Sequence, residues 1–213
     1  DSRLPHVDVI SERIETLITL GEAAGGGEEP APLVVTNVLA VLQRTFAPED
    51  LRRMTRRLAR GTRVDPLELI EWLESVGYEP EAKVTQKGEI CLRGGILDVY
   101  PPTSPWPVRL EFFGEELESL RHFDPASQAS REEVAVAVLS PAGEFGLLKQ
   151  AQARGGEPSL RMATLLEHLP SEALLVVCGP EEVAARATEY RLAGPVTDPF
   201  FITWEDFCGG ARQ

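Results

Sequence analysis

Between Tyr78 and Phe123 apolar residues recur at every second position in short segments punctuated by glycine and proline, a pattern that extended chain satisfies and helix does not. Residues 84–85, 89–93, 96–100, 108–113 and 116–123 are the predicted strands, and connections this short predict a small antiparallel sheet. Within residues 108–113 strict alternation puts Val108, Leu110 and Phe112 on one face and Arg109, Glu111 and Phe113 on the other. The same arithmetic turns Ile90 and Leu92 inward and Arg93 outward, with Gly94-Gly95 bending the strand as a bulge does. Two arginines and a phenylalanine, the residue types that anchor protein interfaces, are thus expected on one exposed surface. The competing reading has Trp106 or a loop covering Phe113, with Arg93 and Arg109 merely paired to Glu111 or Glu89.

On either side of this stretch the period lengthens. Ile10, Ile14, Leu17 and Ile18 predict an amphipathic helix over residues 7–20, with Asp8 as its cap and Gly21 as its stop. Residues 21–32, with three consecutive glycines and two prolines, read as a flexible connection. Residues 33–36 follow as a short buried strand, and Asn37 caps a helix running to about Phe46. Pro66 opens a further helix, its apolar face formed by Leu67, Ile70, Leu73 and Trp72, ending at Gly77. Beyond Pro141 a helix over residues 162–169, an apolar strand over 173–178 and a helix from Gly179-Pro180 to near Gly194 restore the α/β pattern. The simplest organisation is an α/β parallel-sheet domain in two pieces, residues 1–50 and 141–213, interrupted by an inserted α+β antiparallel-sheet domain over residues 51–140.

Charge and composition remove several classes of function. With 34 acidic against 21 basic residues, the net charge of −13 repels nucleic acid and anionic membrane from most of the surface. The exception is the group Arg52, Arg53, Arg56, Arg57, Arg60 and Arg63, of which four would line one stripe if the segment were helical. That segment is equally readable as a helix end or an edge strand, and it lacks the interleaved aromatics of a single-strand binder. None of the lysines Lys83, Lys87 and Lys149 follows a glycine, so no phosphate loop is present, and Glu181 and Glu182 would repel phosphate from the turn at Gly179. His6, His122 and His168 are scattered like surface histidines, and Glu115, Glu116 and Glu118 crowd a hairpin as a solvated edge. No catalytic residue, metal or cofactor is expected in this chain. Cys91 and Cys178 lie in apolar runs and read as small buried hydrophobes, while Cys208 stands apart; a reducing cytoplasm and no membrane contact are expected. The chain opens on Asp1, as expected of a segment cut from a longer protein.

The wording of the strands is more specific than their period. Gly77-Tyr78, Arg93-Gly94-Gly95-Ile96-Leu97-Asp98-Val99-Tyr100-Pro101-Pro102 and Arg109-Leu110-Glu111-Phe112-Phe113-Gly114-Glu115-Glu116-Leu117-Glu118 resemble the UvrB-homology module of the bacterial transcription-repair coupling factors. Phe123-Asp124-Pro125-Ala126-Ser127-Gln128 and Thr164-Leu165-Leu166-Glu167-His168-Leu169-Pro170 extend the likeness over nearly the whole chain, and UvrB itself shares the Arg-Gly and Phe-Phe-Gly signals. The resemblance implies that the inserted domain recruits UvrA through Arg93, Arg109 and Phe113. It implies a flanking domain of helicase type, of the P-loop NTPase class but degenerate and incomplete here. It implies a parent protein that is an ATP-dependent DNA translocase, meeting RNA polymerase and DNA through parts absent from this chain. The alternatives are a fragment of a UvrB helicase without its ATP site, or a nucleic-acid-binding module using the arginine group.

Overall fold

The structure, a computed structural model, describes residues 7–23, 33–144, 147, 160–193 and 198–211. Two compact units divide the chain, one of Asp1–Glu15 with Leu51–Gly155 and one of Thr16–Asp50 with Gly156–Gln213. Helix α1 (Val7–Ala23) buries Ile14, Leu17 and Leu20 rather than Ile18, and it runs through Gly21 to Ala23. Asp8 lies inside its first turn instead of ahead of it. The side chain of Ile10, along with His6, residues 24–32, Lys149 and Gly194, lies outside the described residues.

The first unit is built on a six-stranded sheet of β3 (Glu79–Pro80), β4 (Glu89–Arg93), β5 (Ile96–Val99), β6 (Val108–Phe113), β7 (Glu116–Phe123) and β8 (Ser130–Glu133), in that order. All neighbours are antiparallel except β3 and β4. A two-stranded ribbon of β2 (Arg56–Ala59) and β9 (Val136–Leu139) accompanies it. The alternation forecast β4, β6 and β7 in full, whereas residues 84–85 make no strand and β3, β8 and β9 were not foreseen. Gly94 and Gly95 form the two-residue turn of the β4–β5 hairpin, not a bulge, because Arg93 pairs directly with Ile96. The bulge is in β7. Glu111 pairs with Ser119 but Phe112 with Leu117, so Glu118 is the extra residue, and Leu117 and Leu120, three apart, are both buried.

Helix α4 (Pro66–Ser75) is capped by Asp65, whose carboxylate accepts from the Leu67 amide at 2.7 Å. It buries Leu69 and Leu73, and Leu67, expected on the apolar face, is exposed. Two apolar spacings interleave in this helix; the set Leu69, Leu73 and Val76 is buried because it continues into buried Tyr78. Gly77 ends the helix with φ of +96°, and a Cβ there would stand 3.0 Å from the Gly143 amide nitrogen. Gly77→Ala is therefore expected to lower stability by about 2 kcal/mol in denaturant titration, the strain of a left-handed residue added to a crowded backbone.

The Tyr78 hydroxyl donates to the Ser140 carbonyl at 2.9 Å, wholly buried. That burial raises the phenol above its ordinary pKa. A raised pKa makes the tyrosine's stabilisation complete below the unfolded value and lost as pH climbs past it, so alkaline unfolding should set in above about pH 10. Tyr78→Phe should cost roughly 1–2 kcal/mol at neutral pH by leaving the carbonyl unpaired, and should blunt this alkaline loss.

In the second unit β1 (Thr45–Phe46) pairs antiparallel with β10 (Met162–Ala163). Asn37 caps α2 (Val38–Leu42), accepting from the Ala40 amide at 3.0 Å, but this helix stops at Leu42 and leaves Phe46 to the strand. Residues 162–169, expected as one helix, are β10 followed by a 3-10 turn over Leu165–His168. His168 is buried, a ring nitrogen 2.8 Å from the Phe46 carbonyl oxygen, which corrects its expected surface position. Val41, Leu42, Ala187 and Phe207 form the core between α2, α5 (Pro180–Ala193) and α6 (Trp204–Gly210).

Residues 33–36 and 173–178 are not strands. Leu33 is 91% exposed and Leu174 92%, and Cys178, expected to be buried, is exposed. An apolar run becomes a buried strand only when a neighbour takes up its amides and carbonyls. Among the described residues none flanks either run, and the parallel sheet expected of this part is not formed among them.

Candidate docking face

Cross-strand partners share a face, so the register sorts the sheet of the first unit. Leu92, Leu97, Leu110 and Leu120 form one row, and Ile90, Val99, Val108 and His122 the next; most of these are buried. The opposite face carries the row Cys91, Asp98, Arg109 and Arg121, and beside it Arg93, Ile96, Glu111 and Ser119. Arg93, Arg109 and Phe113 therefore lie on one face, as parity requires.

This face is closed at one end and open at the other. At the closed end Val84, Cys91 and Phe123 are buried together with Tyr100 against them. The Arg109 guanidinium lies 4.6 Å from the centre of the Phe123 ring. Its Nε and Nη2 donate to Asp98 Oδ1 and Oδ2 at 2.7 and 2.8 Å, a two-pronged pair that, with the Asp98 charge, holds the guanidinium pKa above its usual value. Only 16% of the Arg109 side chain is exposed, so it is far more covered than outward parity alone implies. Arg93 Nη2 donates to Asp98 Oδ2 at 3.1 Å, and 53% of its side chain remains exposed.

At the open end Phe113 is 77% exposed. Trp106 does not cover it; that ring stacks instead with Arg131, the guanidinium 4.0 Å from its centre. Nor do Arg93 and Arg109 pair with Glu89 or Glu111. Glu89 accepts from the Thr85 and Gln86 amides, and Glu111 from Ser119 at 2.6 Å and Arg121 at 3.0 Å. The carboxylate that both arginines share is Asp98, whose role the period-two pattern alone does not reveal.

The arginine group does not form a stripe. Arg52 and Arg53 end α3 (Pro48–Arg53), Arg56 and Arg57 lie on β2, Arg60 follows in the turn, and the Arg63 backbone pairs with Glu116 in an isolated antiparallel bridge. Alternation on β2 separates Arg56, stacked 4.3 Å from the Trp72 ring centre, from Arg57.

A face that carries a half-exposed guanidinium, a bare aromatic ring and a buried ion pair suits a protein surface offering a carboxylate and an apolar pocket. Residues 57–145 match the family model of the UvrB interaction domain. Beyond the domain, the chain is similar to transcription-repair-coupling factors, 36% identical over 151 residues to that of Escherichia coli and 37% over 156 residues to that of Bacillus subtilis. Those matches cover 71% and 73% of this chain but 13% and 12% of the relatives. UvrABC system protein B of Thermotoga maritima is 34% identical over 113 residues, 53% of this chain and 17% of the relative. The chain thus spans a small fraction of the relatives' length.

Proposed function

We propose that this chain is a non-catalytic module that recruits UvrA, with a docking face built on Arg93, Arg109 and Phe113, and that its parent links a stalled RNA polymerase to nucleotide excision repair. The observation that carries this reading is the bare Phe113 ring, 77% exposed on the same sheet face as both arginines. Aromatic and arginine side chains on one face are the residue types that anchor protein interfaces. Similarity to the coupling factors covers 71% of the chain against 53% for UvrB, which favours a coupling-factor parent over a UvrB helicase. In this reading the second unit is part of a helicase-type sheet domain, and Leu33, Val35, Leu174 and Val176 are positions that such a sheet buries. DNA translocation and polymerase contact belong to the parent protein. Calorimetric titration of UvrA into the wild-type chain and its Phe113→Ala variant tests the proposal; equal affinities would remove it.

A further inference from the structure

Asp98 lies in the middle of the outward face with 1% of its side chain exposed, and two cations share its single charge. They share it unequally. Arg109 commits Nε and Nη2 to the carboxylate and rests over Phe123, a geometry that leaves it little freedom and little surface. Arg93 commits only Nη2, at 3.1 Å, and its Nε and Nη1 make no hydrogen bond among the described residues. One positive charge is left over from the three groups, and it is Arg93 that presents it.

We infer that Asp98 is the positioning residue of the docking face: it locks Arg109 in place as a strut and tethers Arg93 by one nitrogen, so that the other donors of Arg93 meet a carboxylate on the partner. Resting on the docking face proposed above, this assigns the grip to Arg93 and Phe113 and gives Arg109 a supporting part. The backbone leaves the arrangement no slack. Asp98 and Arg109 are direct cross-strand neighbours, Arg93 is the last residue before the Gly94-Gly95 turn, and a Cβ on Gly95 would stand 2.8 Å from the Phe112 carbonyl oxygen. A tether is needed because a free arginine side chain loses rotamer entropy when a partner immobilises it. Asp98 meets part of that loss in advance.

The test is a double-mutant cycle in UvrA binding, using the full chain as wild type, Asp98→Asn, Arg93→Ala and the double variant, with Phe113→Ala as the control for the face and thermal melts for folding. Asparagine keeps the shape of Asp98 and removes its charge. Asp98→Asn is expected to weaken binding about tenfold in the wild-type background and roughly threefold or less when Arg93 is already alanine, because the two residues act as one. The same loss in both backgrounds, or no loss, while Phe113→Ala abolishes binding would overturn the positioning role and leave the docking face standing. Wild-type affinity in both Phe113→Ala and Arg93→Ala would remove the face and the positioning role together. Should Asp98→Asn fail to fold, Asp98→Glu, which keeps the charge and displaces it by one methylene, takes its place in the same cycle.

Discussion

Phe113→Ala is expected to weaken UvrA binding by about thirtyfold or more, a loss of at least about 2 kcal/mol, with stability unchanged to within about 0.5 kcal/mol. Both halves follow from one number, the 77% exposure of the ring. A side chain that buries little in the free protein has little folding energy to lose on truncation, while a ring that fills a partner's pocket loses all of its contact area. Isothermal titration and a urea melt of the same sample read the two quantities. A variant that binds as wild type would take away the docking proposal. A variant that unfolds would contradict the exposure on which it rests.

Arg109→Ala is expected to show the opposite balance, a stability loss of about 3 kcal/mol in urea denaturation alongside any loss of binding. Removing this guanidinium takes two hydrogen bonds of 2.7 and 2.8 Å from a carboxylate that has no access to water, leaving only the 3.1 Å contact from Arg93. It also uncovers the Phe123 ring. Breaking one side of a buried pair is costly because the other charge stays buried. Replacing both partners, as in Asp98→Leu with Arg109→Met, should recover much of that stability, since no buried charge is then left uncompensated. A melt of Arg109→Ala indistinguishable from wild type would show that Asp98 is satisfied by other means.

The shared face of Arg93, Arg109 and Phe113 was legible where one strand supplies its own information. Residues 108–113 and 116–123 are strands to the residue, and Arg93, Arg109 and Phe113 share a face because the pleat has a period of two. Asp98 was not legible in the same way. It sits in the apolar run Ile96-Leu97-Asp98-Val99, where it reads as a polar interruption, and its meaning depends on the pairing that sets it opposite Arg109. The signal was present, since a Gly-Gly turn fixes the β4–β5 register and parity then puts Asp98 on the face of Arg93. Coverage was harder to read than side. Outward parity put Arg109 on the correct face, but Phe123 reaches that face three residues after buried Leu120, and it covers the arginine. The runs at 33–36 and 173–178 failed for a third reason: hydrophobicity states what a segment would bury, not whether a neighbour exists to bury it. The arginine group, readable as a helix end or an edge strand, divides between both, the end of α3 and β2, because no periodicity spans such a break.

The β4–β5 and β6–β7 turns lie at the same end of the sheet, each only two residues long, and the Phe112 amide donates to the Gly95 carbonyl at 2.8 Å, stitching one turn to the strand beside the other. Arg93 and Phe113 are the last residues before these turns. Side chains mounted on two such short, hydrogen-bonded turns have little backbone freedom to give up, so under the proposed role the heat of UvrA binding should come close to that expected for docking two preformed bodies. Lengthening either turn by a flexible residue would convert this surface from a template into a loop that must first find its shape.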